Sequence, residues 1–272
     1  TYGLDVQIVS PPHIVLAFGI FAIFLGSLQL VLAERNLAQE SQKKIFEYLY
    51  LFAASLILIQ FCILLTEYSF ANKQHSLEFY KLSAIFYGFV IIAFSEASRT
   101  KYAATIIAGL FMIHRLLILW ILPLFDAEPL LGPIYREITH YVAPPFPPLL
   151  IIPAIIIDIV RTRFTLSNRI LKAIIFAFIF TLILLLTQWY FSEFLLSEYG
   201  RNWVFGSDRN KPFWVPIGDF NFEFWEYDWT PYGHKILMTP VTTGNILLTL
   251  VYSSFSIYLA LFFASWLKQV KK

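Results

Sequence analysis

Residues 170–196 read ILKAIIFAFIFTLILLLTQWYFSEFLL, and no charged side chain interrupts them between Lys172 and Glu193. A helix needs about 20 mostly apolar residues to cross the roughly 30 Å of hydrocarbon in a bilayer. This stretch reaches that length without a break by proline or glycine. It therefore predicts a transmembrane helix and places the chain among membrane proteins.

Six further apolar runs, each bounded by charged or turn residues, lie along the chain. They cover residues 13–33, 45–65, 82–95, 102–124, 146–160 and 245–266. Most connections between the runs are too short to form a soluble domain. We expect an all-α integral membrane protein with about seven transmembrane helices, forming one polytopic domain over residues 1–272.

The composition supports the same class of protein and excludes others. Of the 272 residues, 58% are hydrophobic and only 14% are charged, whereas about a quarter are charged in a soluble domain. The one cysteine, Cys62, excludes a disulfide scaffold, a cysteine zinc cluster and an iron–sulfur protein. A net charge of +2 indicates no nucleic-acid partner.

One connection is longer than the rest and is rich in aromatic and acidic residues. Residues 199–244 join the sixth and seventh spans and contain four of the seven tryptophans, which is too long for a simple turn. Tryptophan favours the headgroup region of a bilayer. We expect an extracytoplasmic loop that lies along the membrane surface or docks onto another protein through Trp203, Trp214, Trp225 and Trp229.

The loops at the two membrane faces differ in their basic residues. Twelve Lys and Arg residues fall in the first, third and fifth loops and the C-terminus, and seven fall on the opposite side. In membrane proteins the cytoplasmic loops carry the excess of Lys and Arg. We therefore expect the N-terminus outside and the C-terminus in the cytoplasm, in a bacterial inner membrane.

Three polar side chains within the predicted spans need a physical reason. Arg115 follows His114 halfway along the fourth span, where an arginine costs about 2.5–3.5 kcal/mol on insertion scales. This pair fits an interhelical hydrogen bond or ion pair that locks the bundle, and it also fits contact with a substrate, a proton or a cofactor. Asp158 ends the fifth span beside Arg161, so we expect it to cap a helix or to form an ion pair.

Glu137 and His140 are the candidate metal ligands. On a helix, an i, i+3 spacing places a carboxylate and an imidazole on one face, as in the metal sites of helical bundles. The same spacing also fits a pair of side chains at the membrane surface that holds no metal. Both interpretations stay open at this point.

Residues 140–158 read HYVAPPFPPLLIIPAIIID, where a His-Tyr pair is followed by prolines and an Ile-Pro-x-x-x-x-Asp ends a span. This stretch resembles the membrane-embedded A (β) subunit of the copper membrane monooxygenases, the particulate methane and ammonia monooxygenase family. Residues 188–191 (QWYF) and 252–256 (YSSFS), the latter leading to Trp266, are similar to later helices of the same subunit. The resemblance is confined to the second half of the chain.

The resemblance implies a membrane-embedded subunit of a multi-subunit, copper-dependent monooxygenase. Such a complex acts on a small apolar substrate, for example methane, ammonia or a short hydrocarbon. In that family the companion subunits hold most of the metal ligands, so the resemblance transfers no copper ligand to this chain. The chain is then expected to pack against other membrane subunits and to form one wall of the substrate cavity.

Two other function classes stay open. The sequence has no phosphate-binding GxxxxGK(S/T), no dinucleotide-binding glycine fingerprint, no HExxH and no GxSxG, so catalysis of the kind seen in soluble enzymes is not expected. One alternative is a non-catalytic structural subunit of another membrane complex, such as a respiratory one. The other is a small-solute or proton-coupled transporter with His114 and Arg115 in its path.

Overall fold

The computed structural model describes residues 11–128, 140–141, 144–200, 202–206 and 239–270. Within these residues the secondary structure is helical, apart from one isolated β-bridge between Asp126 and His140. The α-helices follow one another as α1 (Pro11–Leu37), α2 (Glu40–Leu64), α3 (Leu77–Ala97), α4 (Ala103–Ile121), α5 (Ile151–Arg163), α6 (Arg169–Leu196) and α7 (Thr243–Leu267). Short 3-10 turns lie between α2 and α3 and after α4 and α6.

In the described part of the chain, six of these helices are long and apolar enough to cross a membrane. They are all of the helices except α5, and each runs for 21 to 28 residues when the 3-10 turn that follows α4 is counted with it. Such lengths match the hydrocarbon thickness of a bilayer. The structure thus agrees with the predicted class, an all-helical integral membrane protein, and gives six long helices and one short one.

Helix α5 departs most from the sequence expectation, which was a span over residues 146–160. Its 13 residues extend about 20 Å, less than the roughly 30 Å of hydrocarbon. Prolines occupy positions 144, 145, 147 and 148, and proline lacks a helical N–H and disfavours helical backbone in the preceding residue. The expectation of a helix is therefore wrong for residues 146–150. It was based on the apolar composition of this stretch and did not take into account that its prolines disfavour helix.

Helices α1, α2, α3, α6 and α7 extend beyond their predicted apolar runs at one or both ends, whereas α4 lies within its run of residues 102–124. The largest difference is in α3, which begins at Leu77 and ends at Ala97, whereas the apolar run covers only residues 82–95. Glu78, Lys81 and Glu96 lie in the added turns. A helix can contain charged residues where it leaves the apolar part of the bundle. The length of an apolar run therefore indicates the thickness of the membrane that is crossed and not the full length of the helix.

Consecutive helices are antiparallel, so the ends of the bundle differ in chemistry. Tyr50 and Phe61 of α2, for example, contact Phe94 and Phe86 of α3 in reverse order. Helices α1, α3, α5 and α7 all finish at one end, which also holds Arg161 and is called the basic end below. The opposite end, where α6 carries Trp189, is called the Trp189 end.

Helix α3 lies at the centre of the bundle, with 67% of its most apolar window buried. It runs beside α7, where Ser256 donates a hydrogen bond of 2.7 Å to the Ile85 carbonyl. A Cβ atom added to Gly88 would lie 3.6 Å from both Phe180 of α6 and Ile257 of α7. Gly88 therefore marks a place where three helices approach closely, because no larger side chain separates them.

We expect Gly88→Leu to destabilise the bundle by about 1–3 kcal/mol, since the extra atoms must displace Phe180 and Ile257. Gly88→Ala adds only an ordinary van der Waals contact and should change stability by less than about 1 kcal/mol. The measurement is the midpoint of detergent-induced unfolding. Gly19→Leu is the control, because no atom lies within 4 Å of its added Cβ. Equal effects of the two leucine substitutions would contradict the close approach.

Candidate functional site

Arg35 and Glu47 form a buried ion pair at the basic end. The Arg35 Nη1 donates to a Glu47 carboxylate oxygen over 2.9 Å, and its guanidinium lies over the Tyr50 ring at 5.1 Å. The other Glu47 oxygen accepts from the Arg99 backbone N–H at 2.8 Å and from the Ser98 hydroxyl. This pair therefore joins α1 and α2 to the loop between α3 and α4.

Asp158 caps a neighbouring helix from α5. Its carboxylate is fully buried and accepts hydrogen bonds from the Thr105 backbone N–H at 2.7 Å, the Thr105 hydroxyl at 2.8 Å and the Ala104 N–H at 3.3 Å. The first N–H groups of a helix have no partner within the helix, and they carry the positive end of its dipole. Asp158 supplies both an acceptor and a negative charge to α4, and it also pairs with Arg161 at 2.6 Å. The sequence prediction was a cap or an ion pair, and Asp158 makes both.

Glu96 completes this group of charges at the basic end. Its two carboxylate oxygens accept from Arg161 at 3.0 Å and from Lys172 at 2.7 Å, while Arg161 also donates to the Ser95 carbonyl at 2.6 Å. Two carboxylates thus face two cations, so the group is neutral as a whole. Together with Asp158, it fastens α3, α4, α5 and α6 to one another.

Gln188 organises the Trp189 end. Its side-chain oxygen accepts from the Leu149 N–H at 2.8 Å, and its amide nitrogen donates to the Gln74 side chain at 2.7 Å. Gln74 in turn donates to the Ser69 carbonyl at 2.7 Å, and Ser192 donates to the Ala71 carbonyl at 2.6 Å. Helix α6 thereby holds the proline-rich segment before α5 and the connection between α2 and α3.

His114 and Arg115 lie in α4, and they have different surroundings. Arg115 is buried with 6% of its surface exposed, whereas His114 is half-buried. Among the side chains that the structure describes, no carboxylate forms an ion pair with Arg115, and its Nε has no hydrogen-bond partner. The acidic or carbonyl partner that burial of an arginine calls for is thus not found among these residues.

The candidate metal pair is only half within the described chain, since Glu137 lies outside it. His140 lies in the isolated bridge, not in a helix, and its Nε2 is 3.2 Å from the Asp126 carboxylate. The i, i+3 helical geometry expected for Glu137 and His140 is therefore not seen at His140. Among the described residues no three His, Cys, Asp or Glu side chains lie together as a metal site.

The first tryptophan of the long loop rests on the end of α4. Trp203 lies in a 3-10 turn and packs edge-on against Trp120, whose indole N–H donates to the Val204 carbonyl at 2.9 Å. Phe205 of the same turn contacts Phe194 of α6. The start of the loop thus folds onto this chain. The other three tryptophans of the expected docking surface lie outside the described residues: Trp214, Trp225 and Trp229.

Sequence reasoning missed several of these contacts. Arg35 and Glu47 were not singled out, although opposite charges that flank a short connection between spans could have indicated the pair. Gln188 satisfies the backbone of a non-helical segment, a role that its place near the end of an apolar run does not indicate. The role of its partner Gln74 could not be predicted from the sequence. A glutamine in a loop is expected to contact water unless the loop is known to be buried, as Gln74 is.

We expect Asp158→Ala to destabilise the protein by about 3 kcal/mol, because it leaves buried N–H groups of α4 without an acceptor and removes a charge from a neutral group. Asp158→Asn should cost less, since the amide oxygen still accepts from Thr105. The measurement is again the unfolding midpoint in detergent. Glu40→Ala removes an exposed carboxylate at the same end and should have no measurable effect. A matching loss in that control would contradict the role of Asp158.

We expect Gln188→Leu to expose the Leu149 N–H to faster hydrogen exchange, because the buried acceptor of that group is lost. The same change leaves Gln74 unpaired and should lower stability by about 1–3 kcal/mol. Peptide-level exchange should rise at residues 144–150 and 69–76 and stay unchanged around Asp158. Gln60→Leu in α2 serves as the matched control. Uniform acceleration along the chain would count against a local anchor.

Comparison with models of known protein families, with curated protein sequences and with solved structures finds no match for this chain. The resemblance to the copper membrane monooxygenase subunit therefore stays a prediction, based on the residues quoted for it. Those residues include Asp158 and Gln188, which hold the helices together in the structure.

Proposed function

We propose that this chain is a membrane-embedded subunit of a multi-subunit complex, and that the complex is a copper-dependent monooxygenase acting on a small apolar substrate. Helix α1 carries the argument for a subunit. It has 27 residues, yet only 6% of its most apolar window is buried, against 67% for α3. The Arg35–Glu47 pair holds the C-terminal end of α1, but the rest of the helix offers a long apolar face to a helix of another subunit.

The exposed face of α1 suits close helix contact. Nothing lies within 4 Å of a Cβ added at Gly19 or Gly26, and small residues allow two transmembrane helices to approach closely. Phe18 and Ile23 project from the exposed surface beside them. Lipid can also cover such a face, so the proposal depends on an experiment that distinguishes a protein neighbour from lipid.

The copper monooxygenase part of the proposal rests on the resemblance. In this chain the resembling residues serve packing: Asp158 caps α4, and Gln188 holds the segment before α5. The buried charges at the basic end bond to one another, which is the chemistry of a scaffold. In the proposed complex the copper ligands belong mainly to companion subunits, and this chain contributes a wall of the substrate cavity.

Transport of a small solute or of protons is the second candidate function. The observation that favours it is Arg115, a buried cation without an ion pair among the described residues. Such a residue in a transmembrane helix often marks the path of an ion or substrate. A structural subunit of a respiratory complex, the third class, shares the argument from α1 and differs in having no part in catalysis.

We expect the chain, purified from its native membrane in a mild detergent, to bring stoichiometric companion subunits and copper. A photo-reactive benzoyl-phenylalanine in place of Phe18, which is 71% exposed on α1, should cross-link to a companion. The same group in place of Phe178, 53% exposed on α6, is the matched control and should react mainly with lipid. Mass spectrometry identifies the cross-linked chains, and elemental analysis of the same fraction gives the copper content.

Other results would redirect the proposal. Companion subunits that purify with the chain but contain no copper would refute the oxygenase proposal. The structural-subunit proposal would then remain. A metal-free chain that purifies alone, with no cross-link from α1, would refute both the oxygenase subunit and the structural subunit. It would favour transport through the region of Arg115.

A further inference from the structure

Arg169 begins α6 at the basic end and reaches across to α7. Its guanidinium donates a hydrogen bond of 3.3 Å to the Ser265 hydroxyl. The same guanidinium lies over the Phe262 ring, with 5.9 Å between its carbon atom and the ring centroid. Arg169 is itself exposed. These two contacts therefore hold the positive charge at the surface of the bundle, where α6 meets α7.

Arg169 differs from the buried cations of the basic end, which pair with carboxylates. Among the side chains that the structure describes, no carboxylate pairs with Arg169 or with Lys268. Lys268 is exposed and follows Ser265 by three positions, which places it one turn further along the same side of α7. This surface thus offers two positive charges to an anion from outside the chain.

Trp266 indicates the depth of these charges in the membrane. It is exposed on α7 and directly follows Ser265, the residue that Arg169 contacts. Tryptophan favours the headgroup region of a bilayer, where its ring is partly in apolar and partly in polar surroundings. Arg169 and Lys268 therefore lie at the depth of lipid headgroups.

Below the two cations, α7 presents an exposed apolar face. Its side chains succeed one another at spacings of four, three and four positions, which places them on one side of the helix. They are Phe255, Leu259, Phe262 and Trp266, and all four are exposed. The exposed face of α1 lacks such cations, since the only Lys or Arg of that helix, Arg35, is buried. Charge therefore distinguishes the α7 surface from the α1 surface.

Cations at headgroup depth above an exposed apolar face match the two parts of an anionic phospholipid. A guanidinium donates strong hydrogen bonds to phosphate oxygens, and basic residues at the ends of transmembrane helices bind anionic headgroups. We propose that Arg169 and Lys268 bind the phosphate of one anionic phospholipid, whose acyl chains cover Phe262 and the apolar face of α7 below it. The site does not depend on the proposed function.

The test is native mass spectrometry of the full chain in a mild detergent, titrated with dioleoyl phosphatidylglycerol or with dioleoyl phosphatidylcholine. These lipids have the same acyl chains and differ in net charge. We expect one phosphatidylglycerol to bind per chain more tightly than phosphatidylcholine. Arg169→Gln and Lys268→Gln should each weaken that binding about fivefold, the effect of one basic residue at a membrane surface.

The controls separate a site from general attraction to the basic end. Arg99→Gln removes another exposed guanidinium of this end, one that donates to Asn36 of α1, and should leave the affinity unchanged. Arg169→Lys keeps the charge and should retain most of the binding. Inorganic phosphate at the same concentration should not displace the lipid, because it has no acyl chains.

A second readout tests that the variants fold. Phosphatidylglycerol should raise the unfolding midpoint of the unsubstituted chain and of Arg99→Gln by more than that of Arg169→Gln. Equal affinity for the two lipids would overturn the proposal, and so would full affinity in Arg169→Gln or an equal loss in Arg99→Gln. Displacement by inorganic phosphate would show a site for free phosphate and would overturn the lipid. Unchanged binding in Lys268→Gln would overturn the two-cation site, even if Arg169→Gln does not fold.

Discussion

A charge buried in a low-dielectric bundle needs an opposite charge or a set of hydrogen bonds beside it, and this constraint decides how the helices of this chain meet. At the basic end, Arg35 meets Glu47, and Arg161 and Lys172 meet Glu96 and Asp158. All of these pairs join different helices except Asp158 and Arg161, which both belong to α5. Since the apolar surfaces between helices discriminate little among packing arrangements, these polar contacts give the bundle a specific register.

The same constraint explains the short α5. A chain that crosses apolar surroundings without helix must satisfy its backbone elsewhere. Prolines reduce the number of N–H groups in the segment before α5, and Gln188 accepts the N–H of Leu149. A non-helical segment is therefore stable at this place because it is covered by α6 and has few donors to satisfy.

Arg115 is the place where the structure departs from its own pattern. Among the described residues, the other buried arginine, Arg35, has a carboxylate partner, whereas Arg115 has no ion pair. Departures of this kind often mark function, because stability alone does not maintain an unbalanced buried charge. Helix α1, with its exposed apolar face, marks a second such place at the periphery.

The sequence by itself determined the fold class, since runs of about 20 apolar residues leave few alternatives to membrane-spanning helices. It also indicated that Asp158 forms an ion pair or caps a helix, because Arg161 follows it by three positions in the chain. Only the tertiary structure decided that Asp158 caps α4, that Gln188 holds the proline-rich segment and that Arg35 pairs with Glu47. Apolar periodicity tells that a residue faces inward, but which helix it meets depends on how the helices pack. That Arg115 has no ion pair among the described side chains is likewise visible only in the tertiary structure, because it too depends on how the helices pack.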